Sequence, residues 1–206
     1  MIELWNYQKL AVQHISKKIG EGCIRMYVTL PTGTGKSIIL VAIAALRVRN
    51  GRVLVLIHRQ DIAVQLVKAL RGAGLDVGLV MQGYRELGAS VVVATPQSLS
   101  PEILEALVDA NEQLITTVLI DESHHAVAGS AYARILHRLE VVSHPVPIVA
   151  IGFTATPYRN DTRTMFSVLP TCVSRPMQLR VGRKLVPPIK NVLKIHRQKR
   201  RLANAS

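Results

Sequence analysis

The sequence predicts an α/β fold: a mostly parallel sheet with helices on both faces. Three observations carry this. Strand-length apolar runs rich in Val and Ile alternate with segments whose apolar residues recur at helical spacing. The runs are continuous rather than alternately apolar and polar, as expected of strands covered on both sides. A hydrophobic fraction of 49% over 206 residues is ample for the core of one large domain.

The elements follow in order. Residues 7–19 (YQKLAVQHISKKI) bring Leu10, Val12, Ile15 and Ile19 to roughly helical spacing. MYVTL is a short strand that leads into a glycine-rich loop, and SIILVAIAALRV after it is a helix buried on most sides. RVLVLI (52–57) is a strand, and DIAVQLVKAL is a helix stopped by Gly72 and Gly74. LDVGLVM and SVVVAT (90–95) are strands, and Pro101 opens the helix PEILEALVDA. TTVLI (116–120) is a strand ending in DESHH, AYARILHRLE is a helix, and PIVAIGF (147–153) is another strand. From about Pro170 the pattern breaks into short pieces marked by Pro176, Pro187 and Pro188. The expected organisation is a domain over 1–170 and an extension over 171–206.

The net charge of +13 is unevenly placed. Residues 1–161 carry 15 basic and 13 acidic side chains, whereas the residues after Asp161 carry 11 basic and no acidic ones. The body is nearly neutral and the end is basic. Such a block is either a solvated tail or a surface for nucleic acid, where each neutralised phosphate releases counterions. The N-terminus, MIELWNYQKL, has no basic stretch followed by an apolar one, so no secretory signal is read. The apolar runs are too short to span a bilayer, so no membrane partner is expected. Cys23 and Cys172 are isolated and fit no metal or disulfide spacing. A reducing cytoplasm suits them.

LPTGTGKS (30–37) is the first stretch with chemistry in it. The strict phosphate-loop pattern, G-x-x-x-x-G-K-[ST], is broken only at its first position, where Leu30 stands. In Pro31-Thr32-Gly33-Thr34-Gly35-Lys36-Ser37, the glycines let backbone N–H groups converge on phosphate oxygens at a helix N-terminus. Lys36 would neutralise the β- and γ-phosphates, and the Ser37 hydroxyl would ligate Mg²⁺. Such a loop needs a carboxylate from a neighbouring strand to hold the metal. Asp121 follows the apolar strand residues Val118, Leu119 and Ile120, so it emerges at the carboxyl edge of the sheet, where ligands of open α/β sheets bind. Glu122 beside it is placed to orient or deprotonate the attacking water. The two motifs make nucleoside triphosphate hydrolysis the leading reading.

LPTGTGKS, DESHH and FTATP, in this order, resemble motifs I, II and III of superfamily 2 helicases and translocases, of the DEAH/DEAD-like kind, and the resemblance covers nearly the whole chain. It implies a RecA-like phosphate-loop domain. Tyr7-Gln8 resembles the Q motif, whose glutamine reads the adenine edge, so Gln8 implies ATP. Where the family often carries an arginine three residues earlier, Trp5 stands here. VLVLIHRQDIAVQ and VVVATPQSL resemble motifs Ia and Ib, which places His58, Arg59, Thr95 and Pro96 near one strand of bound nucleic acid. Asp-Glu-x-His points to the DEAH-like branch, and DESHHAVAGSAYARIL is most similar to the group related to type III restriction subunits and the Rad25-type helicases. In that family the histidine matching His124 links the nucleotide site to motif III, here Thr154-Ala155-Thr156, whose two hydroxyls would transmit nucleotide state.

The resemblance also implies a second RecA-like domain carrying motif VI. Gln178-Leu179-Arg180-Val181-Gly182-Arg183 has the wrong spacing for that motif and follows motif III too closely, so a second domain is expected to be absent from these residues, or supplied in trans. VGRKLVPPI resembles the segment that crosses toward it. The expected function is the first motor domain of a DEAH-type helicase, a weak ATP hydrolase by itself, using ATP and Mg²⁺ and binding DNA rather than RNA. The alternative is an ATP- and nucleic-acid-binding module that does not turn over.

Overall fold

The computed structural model describes residues 3–142 and 147–155; beyond them it describes four two-residue strands, Cys172–Val173, Arg180–Val181, Lys184–Leu185 and Lys194–Ile195. Helices α1 (Asn6–Gly20), α2 (Lys36–Arg47), α3 (Gln60–Gly72), α4 (Pro101–Asp109) and α5 (Ala131–Val142) alternate with strands β1 (Arg25–Thr29), β2 (Arg52–Leu56), β3 (Val77–Met81), β4 (Tyr84–Arg85), β5 (Val91–Ala94), β6 (Ile115–Ile120) and β7 (Val149–Thr154). Strands β1 to β7 form one sheet in the order β1-β7-β6-β2-β5-β3-β4. All neighbours in it run parallel except β3 and β4, which pair antiparallel through Val80–Arg85 and Met81–Tyr84. The expected α/β class is what the chain adopts. Strand β4 was not foreseen, because two exposed residues in a turn carry no periodic signal.

Period two decides which side each strand residue serves. Val53, Val55 and Ile57 face one core with Met26, Val28, Val91, Val93, Ile151 and Phe153, and α1, α2 and α3 cover it through residues such as Ile15, Ile39, Ile43 and Leu66. Leu54 and Leu56 face the other with Val92, Ala94, Val118, Ile120 and Ala150, under α4 and α5 through Leu104, Leu107, Ile135 and Leu139. Two cores back to back explain why the strands read as unbroken apolar runs. Cutting a fully buried residue such as Ile151 or Leu56 to alanine would cost about 2–5 kcal/mol.

Local signals set the boundaries. Ser100 caps α4 by accepting from the Ile103 amide at 3.3 Å, with Pro101 in the first turn. Arg52, at the start of β2, is 1% exposed. Its guanidinium donates to backbone carbonyls of Ala89 at 3.1 Å, Leu107 at 2.7 Å and Leu87. A buried charge is tolerable when its donors are engaged in this way. Among the described residues no helix is long and apolar enough to cross a membrane.

The parallel strands end together. Thr29 lies in register with Thr154, Ile120 with Gly152 and Leu56, and Leu56 with Ala94. Along one edge the chain therefore lines up Leu30, Thr154, Asp121, Ile57 and Thr95.

Candidate functional site

The loop after β1 is shaped by its glycines. Gly33 (φ 79°) and Gly35 (φ 69°) adopt the left-handed conformation that other residues resist. Thr34 closes the turn, its amide and hydroxyl both donating to the Pro31 carbonyl, the hydroxyl at 2.7 Å. Gly35 caps α2 with no side chain bonded to the first-turn amides, the arrangement that anion-binding helix N-termini use. A Cβ on Gly35 would lie 2.6 Å from Gln8 Nε2, so the loop is also held from outside. Leu30, where the strict pattern has glycine, is fully buried, and its amide donates to the Thr154 carbonyl at 2.9 Å. Packing against the core fills that position without touching the phosphate-facing part.

Gln8 is 3% exposed and spends its amide on the protein. Nε2 donates to the Thr34 carbonyl at 3.3 Å, and Oε1 accepts from the Trp5 amide at 3.0 Å, capping α1. Tyr7, adjacent to it, donates its hydroxyl to the same Thr34 carbonyl at 2.9 Å. Helix α1 is thus clamped to the phosphate loop. Trp5 stands 63% exposed beside the clamp, its ring edge-on to Tyr7.

The acidic pair sits across from the loop. Lys36 Nζ contacts Glu122 Oε1 at 3.0 Å, joining residues 86 apart. The other carboxylate oxygen of Glu122 lies 3.2 Å from His124 Nδ1, which is also 3.2 Å from the Thr154 hydroxyl. Glu122 itself has φ 47° and is the one non-glycine residue with positive φ among those described. Backbone strain of this kind persists where the surroundings over-determine it, as at functional sites. The Asp121 amide donates to the Leu56 carbonyl at 3.0 Å. Burial, reinforced by the charge of Glu122, pushes the Asp121 carboxyl above the usual carboxylate range. A desolvated carboxylate and a serine hydroxyl are hard-oxygen donors of the kind Mg²⁺ takes when phosphates supply further ligands. Among the described residues no cluster of three or more His, Cys, Asp or Glu forms a metal cage.

The other named residues are less concentrated. Arg59 is exposed and paired with Asp61 at 2.7 Å. Thr95 is 2% exposed, its hydroxyl 2.8 Å from Ser98 Oγ, and Pro96 is buried as well. Any contact with a ligand there would use backbone rather than those side chains. Thr32 and Ser37 are exposed on the loop. Thr156 and the basic residues expected to act from 171–206 lie outside the described residues, apart from the short strands named above.

Three residues beside the site escaped sequence reasoning. Tyr7 was read only as a neighbour of Gln8. Tyr132 of α5 is 4% exposed, and its hydroxyl is without a hydrogen-bond partner among the described residues. Its pKa is pushed up to about 12, by burial first and then by the charge of Asp121. His125 lies between two other imidazoles, 4.5 Å from His58 and 4.2 Å from His124 between ring centroids. The doubled histidine of DESHH was a visible signal for the second, but its partner, 67 positions earlier, was not.

Over residues 1–159 the chain matches the family described as type III restriction enzyme, res subunit. It is 30% identical over 182 residues to a Saccharomyces cerevisiae protein named as an ATP-dependent helicase, IRC3, covering 81% of this chain and 25% of that protein. A Schizosaccharomyces pombe protein named as a mitochondrial ATP-dependent helicase, irc3, is 30% identical over 168 residues, covering 78% and 27%. The chain spans about a quarter of the length of these curated relatives. Among solved structures, the Hef helicase domain of Pyrococcus furiosus aligns with a TM-score of 0.57 at 25% identity, covering 75% of this chain and 34% of that one. A nuclease-deletion mutant of the type ISP restriction-modification enzyme LlaGI, solved with a DNA substrate mimic, aligns with a TM-score of 0.57 at 16% identity, covering 76% and 18%. That last likeness is one of fold.

Proposed function

The chain belongs to the type III restriction enzyme res-subunit family, and on that premise we propose that it acts as the ATP- and nucleic-acid-binding first motor domain of a superfamily 2 DEAH-type helicase or translocase. The observation that carries the reading is the contact of Lys36 with Glu122 at 3.0 Å. It brings the phosphate loop and the acidic pair face to face on one sheet edge, with Asp121 adjoining.

The first-turn amides of α2 and Lys36 would hold the phosphates, and Ser37 with Asp121 would hold Mg²⁺. Bound there, Mg²⁺ would neutralise charge on the β- and γ-phosphoryl oxygens. Glu122 would orient the attacking water and accept its proton once Lys36 turns to phosphate. His124 would steer that exchange, a reading supported by its contacts with both Glu122 and Thr154. Gln8, clamped to the loop, would sense adenine through the same amide that now braces Thr34. The unusual Leu30 changes none of these roles, because it faces the core.

Arg59 and the backbone at Thr95 and Pro96 would track one strand, with the basic residues after Asp161 adding phosphate contacts. DNA is the preferred partner in this reading because the family is described as a restriction-enzyme subunit. Cys23 is a buried free thiol, in keeping with a reducing compartment, which we take as the cytoplasm. Turnover by these residues alone should be slow. Arginines from a second RecA-like domain would oppose the charge developing across the cleft, an effect worth about 10³–10⁵ in rate in related hydrolases. The test is ATP turnover and duplex unwinding by the chain, alone and with a second RecA-like domain supplied. Slow turnover, lost in Glu122→Gln and raised by the second domain, is expected. Robust unwinding by the chain alone would overturn the division of labour, and Mg·ATP binding with no turnover in either state would favour a non-hydrolysing module.

A further inference from the structure

The histidines at 58, 124 and 125 are used above only in part. His58 directly follows the β2 extension, one residue before Arg59, and its side chain is exposed. Its ring stacks on His125 at 4.5 Å with the planes 21° apart. His125 in turn lies 4.2 Å from His124 at 41°. His124 Nδ1 is 3.2 Å from both Glu122 Oε2 and the Thr154 hydroxyl. Three rings thus form a continuous path from the exposed side of the β2 edge to the residue expected to activate water.

The inner end of that path is a residue shared between partners. Glu122 has one carboxylate oxygen on Lys36 and the other beside His124. It cannot keep the lysine and also serve a water near phosphate. Its backbone, at φ 47° and ψ 52°, sits in a region costly for a non-glycine residue, so a turn of the Ser123–His125 segment that relaxed it would be favoured. Stacked rings transmit displacement well because they are flat, stiff and in van der Waals contact, and interiors rearrange between discrete packings rather than deforming smoothly. Coupling claims need such an element biased from both sides.

We propose that His125 is a positioning residue, the middle rung of a His58–His125–His124 ladder that couples nucleic-acid occupancy beside His58 to the setting of Glu122. A strand lying along Arg59 and Thr95 presses on or orders His58; the ladder shifts His124, and Glu122 changes from its lysine-bound setting to one that admits the nucleotide phosphates. By reciprocity, nucleotide binding tightens the hold on the strand by the same factor. The proposal rests on the reading that the chain binds both Mg·ATP and nucleic acid.

The test is calorimetric titration of the 206-residue chain with a non-hydrolysable ATP analogue plus Mg²⁺, with and without single-stranded DNA or RNA oligonucleotide. The parent should bind the analogue about tenfold more tightly when the oligonucleotide is present. His125→Ala should leave affinity for the analogue alone within about twofold while the tenfold coupling collapses to about twofold or less. His125→Phe, which keeps a flat ring for stacking, should restore most of the coupling, and a merely structural role would not produce that split. His58→Ala, at the exposed end where folding is not at stake, should also lower the coupling. Undiminished coupling in both alanine variants overturns the ladder, as does a His125→Phe protein that behaves like His125→Ala. A parent that binds both ligands without coupling overturns it too, leaving the proposed function standing. A parent that binds no nucleotide overturns both.

Discussion

Lys36 meets Glu122 across 86 residues of chain, His124 meets Thr154 across 30, and Gln8 meets the Thr34 carbonyl across 26. Farther along the same sheet edge the contacts are local: Arg59 pairs with Asp61 two residues on, and Thr95 with Ser98 three residues on. The first region is knitted by the fold, so the sheet brings its side chains together before any ligand arrives. The second is held by its own loops and can adapt to what lies against it. Chemistry that depends on placement within fractions of an ångström suits the first, and contact with a polymer of variable sequence suits the second.

If that contrast is right, substitutions in the knitted region should act strongly and those in the local region weakly. Lys36→Ala should have the largest effect, lowering Mg·ATP affinity by about 100-fold or more, because it removes a charge-assisted contact and strands Glu122. Calorimetry that finds unchanged affinity would remove Lys36 from the site. Glu122→Gln should still bind Mg·ATP but lose about 10²–10⁴ in turnover, the usual worth of a positioned general base. Parent-like hydrolysis would hand the role to another residue. Gly35→Ala combines left-handed backbone with a Cβ placed 2.6 Å from Gln8 Nε2. It should cost about 1–3 kcal/mol in denaturant unfolding and loosen α1 from the loop.

Asp121 sharpens the comparison through pH. Its folded pKa is raised from the ordinary 3.8, so the folded chain holds that proton longer than the unfolded chain. Stability is therefore greatest below the ordinary value, falls as pH climbs through the raised one and stays reduced above it. Asp121→Asn should remove this loss and raise the melting temperature by about 2–4 °C near neutral pH without Mg²⁺, while weakening metal-dependent nucleotide binding. A variant that melts no higher than the parent at neutral pH would mean the carboxylate is not under strain. The smallest effect belongs to Arg59→Ala. Its exposed pair with Asp61 should be worth less than about 1 kcal/mol to the fold, while nucleic-acid affinity falls a few-fold and the salt slope drops by about 1. Unchanged salt dependence would place the polymer elsewhere.

The fold was legible because its evidence is repetitive. Each central strand offers three or more consecutive apolar residues, and each error of boundary was confined to a residue or two at the ends, as where Leu30 falls just outside β1. The placement of loop and acidic pair on one edge was legible because a parallel sheet forces its strand ends together. What escaped depends on side-chain geometry between distant segments. Nothing in Tyr7 announces a bond to Thr34, and His58 and His125 are ordinary residues until the sheet brings β2 beside β6. Gln8 was expected to read a base, and its bonds to the loop and to the start of α1 were not foreseen. Pattern locates such a residue, but competition among its possible partners decides its contacts.

Arg52 has a consequence for the order in which the chain can mature. The carbonyls that satisfy its guanidinium belong to Leu87, Ala89 and Leu107, all later in sequence than the strand it starts. While a ribosome has delivered only β1 to β3, that charge has nowhere dry to go, and burying β2 would leave a naked cation in the core. Strands β1, β2 and β3 pair with one another nowhere in the sheet, so they also lack parallel partners until β5, β6 and β7 have emerged. Arg52 adds to that need a need of its own for later carbonyls, and β2 should stay wet until α4 exists. Ribosome-bound chains ending at residue 86 should accordingly be cut readily by protease, and chains ending beyond α5 should resist. Equal resistance in the two would show that the early strands settle without their later carbonyls.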